Sequence, residues 1–296
     1  MNIKIFKSFF IILQIVFAAE FVGVMTVKAD TELTGPGTLN NGGEYYRLTR
    51  DITTSGTAFT ITANDVTLDL GEYTISYLSG PCIKISADRV TLKNGTIIQI
   101  GFSSSAHAIS ASGSSNELHH LVIKVLGRDS HGIKTNSFNG GKIHHVYIYN
   151  EGTSTVTTPG PTGINLKGGS SEAVQIHDNI MVGSHKGMII QTVSLRGSQS
   201  PNPGKVYNNY IQHDRIRKTK ADYGIIVTQS TNFDIYNNQI ITDQGRGLML
   251  DGWYQGSDKP TRYVNFHNNR VDVQHSPNPR EGGGDIVVEG TVSMEL

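Results

Sequence analysis

Short segments in which apolar and polar residues alternate recur along the whole chain. The commonest begins with a small residue followed by an aliphatic one, and the aliphatic position returns every 23 to 38 residues. Gly132-Ile133, Gly187-Met188 and Gly224-Ile225 are examples. Alternation with a period of two predicts short β-strands with one buried face.

Two further segments follow each of these pairs. One ends in a polar corner, as in Ile235-Tyr236-Asn237-Asn238, and a third short strand follows it, as in Gln239-Ile240-Ile241. Three strands per turn of ~24 residues predict a parallel β-solenoid, in which stacked coils bury an apolar face that one coil cannot bury alone. We expect the asparagines at equivalent corners to stack as a hydrogen-bonded ladder. They are Asn179, Asn209, Asn238 and Asn269.

The repeats resemble a known superfamily. Val66-Thr67-Leu68-Asp69-Leu70-Gly71 and Ile235-Tyr236-Asn237-Asn238-Gln239-Ile240 are similar to repeats of the right-handed parallel β-helix, pectin-lyase-like proteins, over roughly residues 45–290. The resemblance implies an all-β, single-stranded right-handed parallel β-helix, and nine recurrences of the small–aliphatic pair imply about nine coils. This scaffold hosts lyases, hydrolases, epimerases and non-catalytic proteins, so it implies a fold rather than one activity.

The chain divides into three regions. Lys4 and Lys7 precede an apolar run over 9–27, which predicts a signal peptide at 1–29, cleaved before Asp30. Val16-Phe17-Ala18 is a second possible cleavage site, and an uncleaved membrane anchor is the alternative to a signal peptide. We expect an exported protein, periplasmic, at the cell surface or extracellular, with no membrane association after cleavage. Residues 30–57 are predicted to cap the β-helix of 58–296, which either ends in a makeshift cap or is a truncated product.

Composition excludes several classes of protein. Charged residues make up 17% of the chain, below the ~25% average, and Lys+Arg and Asp+Glu are both 25. The zero net charge gives no reason to expect a nucleic-acid partner. Few charges and 33 glycines argue against a helical bundle. Cys82, the single cysteine, is interpreted as a small buried hydrophobe. We expect a monomer.

Longer spacings indicate loops inserted between strands, which tend to build one binding face. Trp253 and Tyr254 in one of them suit stacking on a sugar ring, or they pack on the solenoid wall. Arg217 lies in a basic stretch that favours an anionic ligand, unless it is a solvated loop. The inserted segments are 151–161, 193–204, 212–222, 251–262 and 274–284.

The residues directly before the small–aliphatic pairs form what we call the flanking column. In the polygalacturonase branch of the superfamily, catalytic aspartates and a histidine occupy this place. Glycoside hydrolysis normally needs two carboxyl groups, and the column here has none, which argues against such a hydrolase. The column consists of Pro81, His107, His131, Thr162, Lys186, Tyr223 and Arg246.

Lys186, Tyr223 and Arg246 suit β-elimination on a uronic acid. Arg246 would neutralise the substrate carboxylate, Lys186 or Tyr223 would remove the C5 proton, and His131 would line a flanking subsite. A solvated polar column is the alternative. Six histidines in or near the polar corners are interpreted as stand-ins for asparagine rather than metal ligands: His119, His120, His144, His145, His177 and His267. No acidic cluster suggests calcium, so no cofactor is expected.

The sequence therefore predicts an exported β-helix protein that acts on or binds an acidic polysaccharide as a lyase or epimerase. The alternative is a non-catalytic surface, carbohydrate-binding or structural protein.

Overall fold

The computed structural model describes residues 30–104, 106–151, 161–183, 186–191, 193, 201–213, 223–242, 246–251, 261–273, 286–289 and 292–293, with only the backbone of 246, 251, 273, 286–289 and 292–293. These residues contain β-strands and no α-helix, and no helix long and apolar enough to cross a membrane occurs among them. The strands are β1 Thr31–Leu33, β2 Gly37–Leu39, β3 Tyr45–Leu48, β4 Ile52–Thr54, β5 Phe59–Ile61, β6 Thr67–Asp69, β7 Thr74–Tyr77, β8 Ile83–Ser86, β9 Thr91–Gln99, β10 Ile109–Ser112, β11 Glu117–Val125, β12 His131–Asn136, β13 Lys142–Asn150, β14 Thr162–Lys167, β15 Gln175–His177, β16 Ile180–Val182, β17 Lys186–Gln191, β18 Gly204–Tyr207, β19 Tyr210–Gln212, β20 Tyr223–Thr228, β21 Thr231–Tyr236, β22 Gln239–Thr242, β23 Arg246–Asp251, β24 Thr261–His267, β25 Arg270–Val273, β26 Ile286–Glu289 and β27 Val292–Ser293.

The strands form two parallel sheets. Sheet A has 17 strands, and sheet B has ten, in the order β2-β5-β8-β10-β12-β14-β17-β20-β23-β26. Each strand of sheet B pairs in parallel with the strand one coil away; Ile83, for example, pairs with Ile109, which pairs with Ile133. The predicted all-β parallel solenoid is confirmed.

The core is a stack of aliphatic side chains between the sheets. Ile83, Ile109, Ile133 and Ile164 are fully buried at equivalent positions of successive coils. Cys82 is also fully buried, and burial raises the pKa of its thiol, as expected for a small hydrophobe and not for a reactive group.

In the pairs that begin with Gly187 and Gly224, the first residue is a glycine because this position faces the core. A Cβ added to Gly187 would lie 2.4 Å from Ile211 Cγ2, and one added to Gly224 would lie 2.3 Å from Ile240 Cγ2. The following aliphatic, such as Met188, is fully buried as well. Two consecutive residues, such as Gly187 and Met188, therefore point inward, which breaks the in–out alternation of the strand. As a result the residue before the glycine points outward.

The asparagine ladder is confirmed. The Nδ2 group of Asn179 donates to Asn209 Oδ1, that of Asn209 to Asn238 Oδ1, and that of Asn238 to Asn269 Oδ1, each at 2.9 Å. The first three side chains are 1% exposed, so the ladder satisfies polar groups that the fold buries.

Both ends of the described chain add to the same sheets. Residues 30–57, which were expected to form the cap, contain β1 to β4, and these pair with the next coil. At the other end, β26 pairs with β23 and β27 with β24.

Candidate binding face on sheet B

The flanking column forms one continuous row on sheet B. In the strand register His131 pairs with Thr162, Thr162 with Lys186, Lys186 with Tyr223, and Tyr223 with Arg246. Neighbouring strands lie ~4.8 Å apart, so these residues follow one another at that spacing. The structure thus brings together four sequence-predicted site residues: His131, Lys186, Tyr223 and Arg246.

Lys186 and Tyr223 are in contact on the outer face. The Nζ atom of Lys186 lies 5.9 Å from the centre of the Tyr223 ring, within the range of a cation–π interaction. Lys186 is only 7% exposed although its strand turns it away from the core. Arg246 is in register on the next strand, and its side chain lies outside the described residues.

His107 and His131 form a stacked pair at the other end of the column. Their rings are nearly parallel, with centroids 4.7 Å apart, and the backbone N–H of His131 donates to His107 Nδ1. Burial, helped by the charge of Lys134, lowers the pKa of His107 to about 4. Burial also lowers the pKa of His131 well below its usual value, with contributions from His107, Lys134 and Lys186. Both rings are therefore neutral at pH 7.

The outer face of sheet B is basic. The described strands of sheet B from β2 to β20 contain four lysines and no aspartate or glutamate. The first acidic residues of the sheet are Asp251, at the end of β23, and Glu289, at the end of β26. Each lysine is next to an inward, buried residue, so all four belong to the outer face. The whole chain has no net charge, so this face is a local positive field that favours an anionic ligand. The lysines are Lys84, Lys134, Lys167 and Lys186.

An apolar cluster lies on the same face. Ile189, Ile226 and Met249 contact one another outside the main core, 5–7% exposed, with Tyr223 packed against them. This cluster was not predicted from the sequence, where only the unbroken apolar run Met188-Ile189-Ile190 indicates it. Cations beside apolar and aromatic groups suit a sugar ring, whose faces are apolar and whose edges are polar.

The remaining predicted site residues lie outside the described part of the chain. Trp253, Tyr254 and Arg217 belong to inserted segments of which the structure describes at most the ends.

A cavity of about 490 Å³ near the C-terminal end is lined by Leu248 and Phe266–Val271 and includes none of the predicted site residues.

Most of the corner histidines do not replace asparagine. His120 and His145 do occupy the left-handed corner position of Asn208 and Asn237, with φ of 53° and 54°. Four others stack with two tyrosines in an aromatic column on sheet A, with centroids 4.7–5.1 Å apart. Within the described residues no group of three or more potential metal ligands occurs. The aromatic column consists of His119, His144, His177, Tyr207, Tyr236 and His267.

Comparison with known proteins identifies likeness at the level of structure only. No family model matches the chain, and no curated protein matches it. Among solved structures, a PL6 alginate lyase complexed with a trisaccharide is similar at 12% identity and a TM-score of 0.45, over 94% of this chain and 85% of that one. Alginate lyase AlyF-OU02 in complex with G6 is similar at 13% identity and a TM-score of 0.35, over the same shares. The site assignment therefore rests on the geometry above.

Proposed function

We propose that the outer face of sheet B binds an acidic polysaccharide. The four lysines supply positive charge along the face, and carboxylates are absent from its described strands up to β20. The cluster of Ile189, Ile226 and Met249 is itself buried, and it holds the partly exposed Tyr223 ring beside Lys186, where an aromatic ring suits the apolar face of a sugar. A chain of uronic acid units carries both complementary features, a negative charge on each unit and apolar ring faces.

We further propose that Lys186, Tyr223 and Arg246 catalyse β-elimination on this polymer. The observation that carries the proposal is the in-register sequence of a lysine, a tyrosine and an arginine on three successive strands of the outer face. Arg246 would neutralise the substrate carboxylate and so acidify the proton on C5. The reaction then needs a base and an acid close together, and we assign these two roles to Lys186 and Tyr223 because their side chains lie next to each other on this face.

The bonds balance without a cofactor. Lys186 or Tyr223, as amine or phenolate, removes the C5 proton, and the electron pair of that bond forms the C4=C5 double bond. The C4–O bond breaks as the other residue protonates the departing glycosidic oxygen. The products are a new reducing end and an unsaturated uronate. Proton transfer back through solvent restores the starting state of both residues.

A non-catalytic carbohydrate-binding protein is the second candidate. The burial of Lys186 at 7% exposure and the apolar cluster next to it favour a packing and binding role over proton transfer. In that case the same face binds the polymer without cleaving it.

The test is to incubate the purified mature protein with polygalacturonate, alginate and glycosaminoglycans and to follow the ultraviolet absorbance of unsaturated products. We expect turnover of one polyuronate, lost in Lys186→Ala and reduced at least a hundredfold in Tyr223→Phe. Lys205→Ala, on sheet A, is the control and keeps full activity. Binding of a polyuronate without any product would support the non-catalytic candidate instead.

We also propose that the protein is exported, as its basic and apolar N-terminal sequence indicates. N-terminal sequencing of protein recovered outside the cytoplasm should begin at Asp30, or at Ala19 if the second cleavage site is used. An intact Met1 on that protein would contradict cleavage of a signal peptide.

A further inference from the structure

His107 and Lys134 meet on the outer face of sheet B, with 3.4 Å between His107 Nε2 and Lys134 Nζ. The Nδ1 atom of His107 accepts the backbone N–H of His131, so it carries no proton. A neutral imidazole has one N–H, which must then be on Nε2. The Nε2–H group of His107 therefore faces the ammonium group of Lys134.

Two donors that face each other need a shared acceptor. No described carboxylate forms an ion pair with Lys134, and this residue is only half-buried, so part of it contacts solvent. Burial, together with the nearby Lys167, lowers the pKa of Lys134, which reflects a cation without a compensating negative charge. An anionic oxygen placed between the two donors would accept charge-assisted hydrogen bonds from both.

Two buried polar atoms without partners lie near this pair, one on the next strand and one on the strand of Lys134 itself. Asn165 pairs with Lys134 in the register, and its Oδ1 atom is buried without a hydrogen-bond partner. The Nδ1 atom of His131 is likewise buried and has no partner, although His131 Nε2 lies 3.3 Å from Asn165 Nδ2. Because buried polar groups are nearly always paired, these atoms indicate a partner that the protein itself does not supply.

We propose that His107 and Lys134 bind the carboxylate of one uronic acid unit, and that Asn165 and His131 hydrogen-bond a hydroxyl of the same polymer. This inference rests on the proposed function and deepens it, because it assigns a subsite for a charged, polyhydroxylated sugar. Lys134 on β12 is two strands from Lys186 on β17, about 10 Å along the sheet. The subsite therefore binds a neighbouring unit of the chain and leaves the reacting unit to Lys186 and Tyr223.

The experiment compares wild type, Lys134→Met and Lys205→Met. Lys205→Met removes the same charge from sheet A and is the matched control. Calorimetric titration uses tetramers of galacturonate and of alginate and, for each, the neutral tetramer with reduced carboxyl groups. We expect Lys134→Met to weaken binding of the charged tetramer about ten- to a hundredfold, as loss of a charge-assisted hydrogen bond predicts. The two lysine variants should bind the neutral tetramer equally. Equal affinity of Lys134→Met and Lys205→Met for a charged tetramer would overturn the subsite and leave the proposed function standing.

If no charged tetramer binds the wild-type protein, the proposed function is refuted. A second measurement then tests the anion subsite independently of any sugar. The ¹⁵N shifts of the His107 ring are titrated with inorganic sulfate, an anion that needs no sugar. A saturable shift in wild type and Lys205→Met that is absent in Lys134→Met supports an anion subsite. No shift in wild type overturns it.

Discussion

Gly187 lies directly against Ile211: a Cβ added to the glycine would be 2.4 Å from Ile211 Cγ2. This contact turns Lys186 outward, since both Gly187 and Met188 face the core and the residue before them cannot. The same arrangement at Gly224 turns Tyr223 outward. The inward-facing glycines Gly187 and Gly224 therefore leave the residues before them on the outer face, where a ligand can contact them. Packing inside the solenoid thus determines which side chains of the flanking column are available on its surface.

Replacing Gly187 by alanine should destabilise the protein. The added methyl group overlaps Ile211 and the carbonyl oxygen of Gly224, which lies 2.7 Å from it, and overpacking of this kind costs about 1–3 kcal/mol. Gly56→Ala is the control, because a Cβ there meets nothing within 4 Å. Urea denaturation measures the stability of both variants. Equal denaturation midpoints for the two would show that Gly187 does not face the core.

Asn238→Leu should cost ~1–3 kcal/mol in free energy of unfolding, because it leaves buried partners unsatisfied. The Asn238 amide donates to Asn269 Oδ1 and to the backbone carbonyl of Val206, and its Oδ1 accepts from Asn209. Asn265→Leu, at an exposed position, is the control and should stay within ~0.5 kcal/mol of wild type. An unchanged denaturation midpoint for Asn238→Leu would show that the corner is solvated.

Stability should fall as the pH drops below about 6.5. The pKa of His107 is about 4 in the folded protein and 6.5 in the unfolded chain, so between these values the unfolded chain binds more protons. The stability that the neutral ring contributes is fully present above pH 6.5 and is lost toward pH 4, on the order of 2–3 kcal/mol. Denaturation midpoints from pH 7.5 to 4.5 should decline more steeply in wild type than in His107→Asn. Parallel curves would mean that the buried ring does not resist protonation.

Features that repeat from coil to coil could be predicted from the sequence. Features that depend on the particular neighbours of one coil could not. The aliphatic stack and the Asn238 ladder follow from periodicity, because equivalent positions of a solenoid must coincide. The outward cluster around Ile189 was missed, because the apolar run 188–190 does not show by itself that its middle residue packs on Ile226 and Met249 of the neighbouring coils. His119 and His120 are adjacent in sequence, yet one joins the aromatic column and the other takes the left-handed corner.

The proposed roles differ in how far they could be predicted. Lys186, Tyr223 and Arg246 were identified from their position before the small–aliphatic pairs, and the register brings them together. The contact of His107 with Lys134 was not predicted, because it joins two columns of the face and no motif spans both. Trp253 lies in a segment without a repeat, so periodicity gave it no position.

The affinity of a charge-reversed face for oligouronates tests the central claim most directly. Lys84→Glu/Lys167→Glu changes two exposed lysines on the outer face of sheet B, and Lys142→Glu/Lys205→Glu makes the same change of net charge on sheet A. Binding of galacturonate and alginate oligomers is titrated at low salt and at physiological salt. At physiological salt, screening reduces any difference in affinity between the variants that is electrostatic in origin. We predict that the sheet B variant loses at least tenfold in affinity at low salt, while the sheet A variant binds like wild type. Equal losses in the two variants, or no binding by wild type, would contradict the assignment of this face to an acidic polysaccharide.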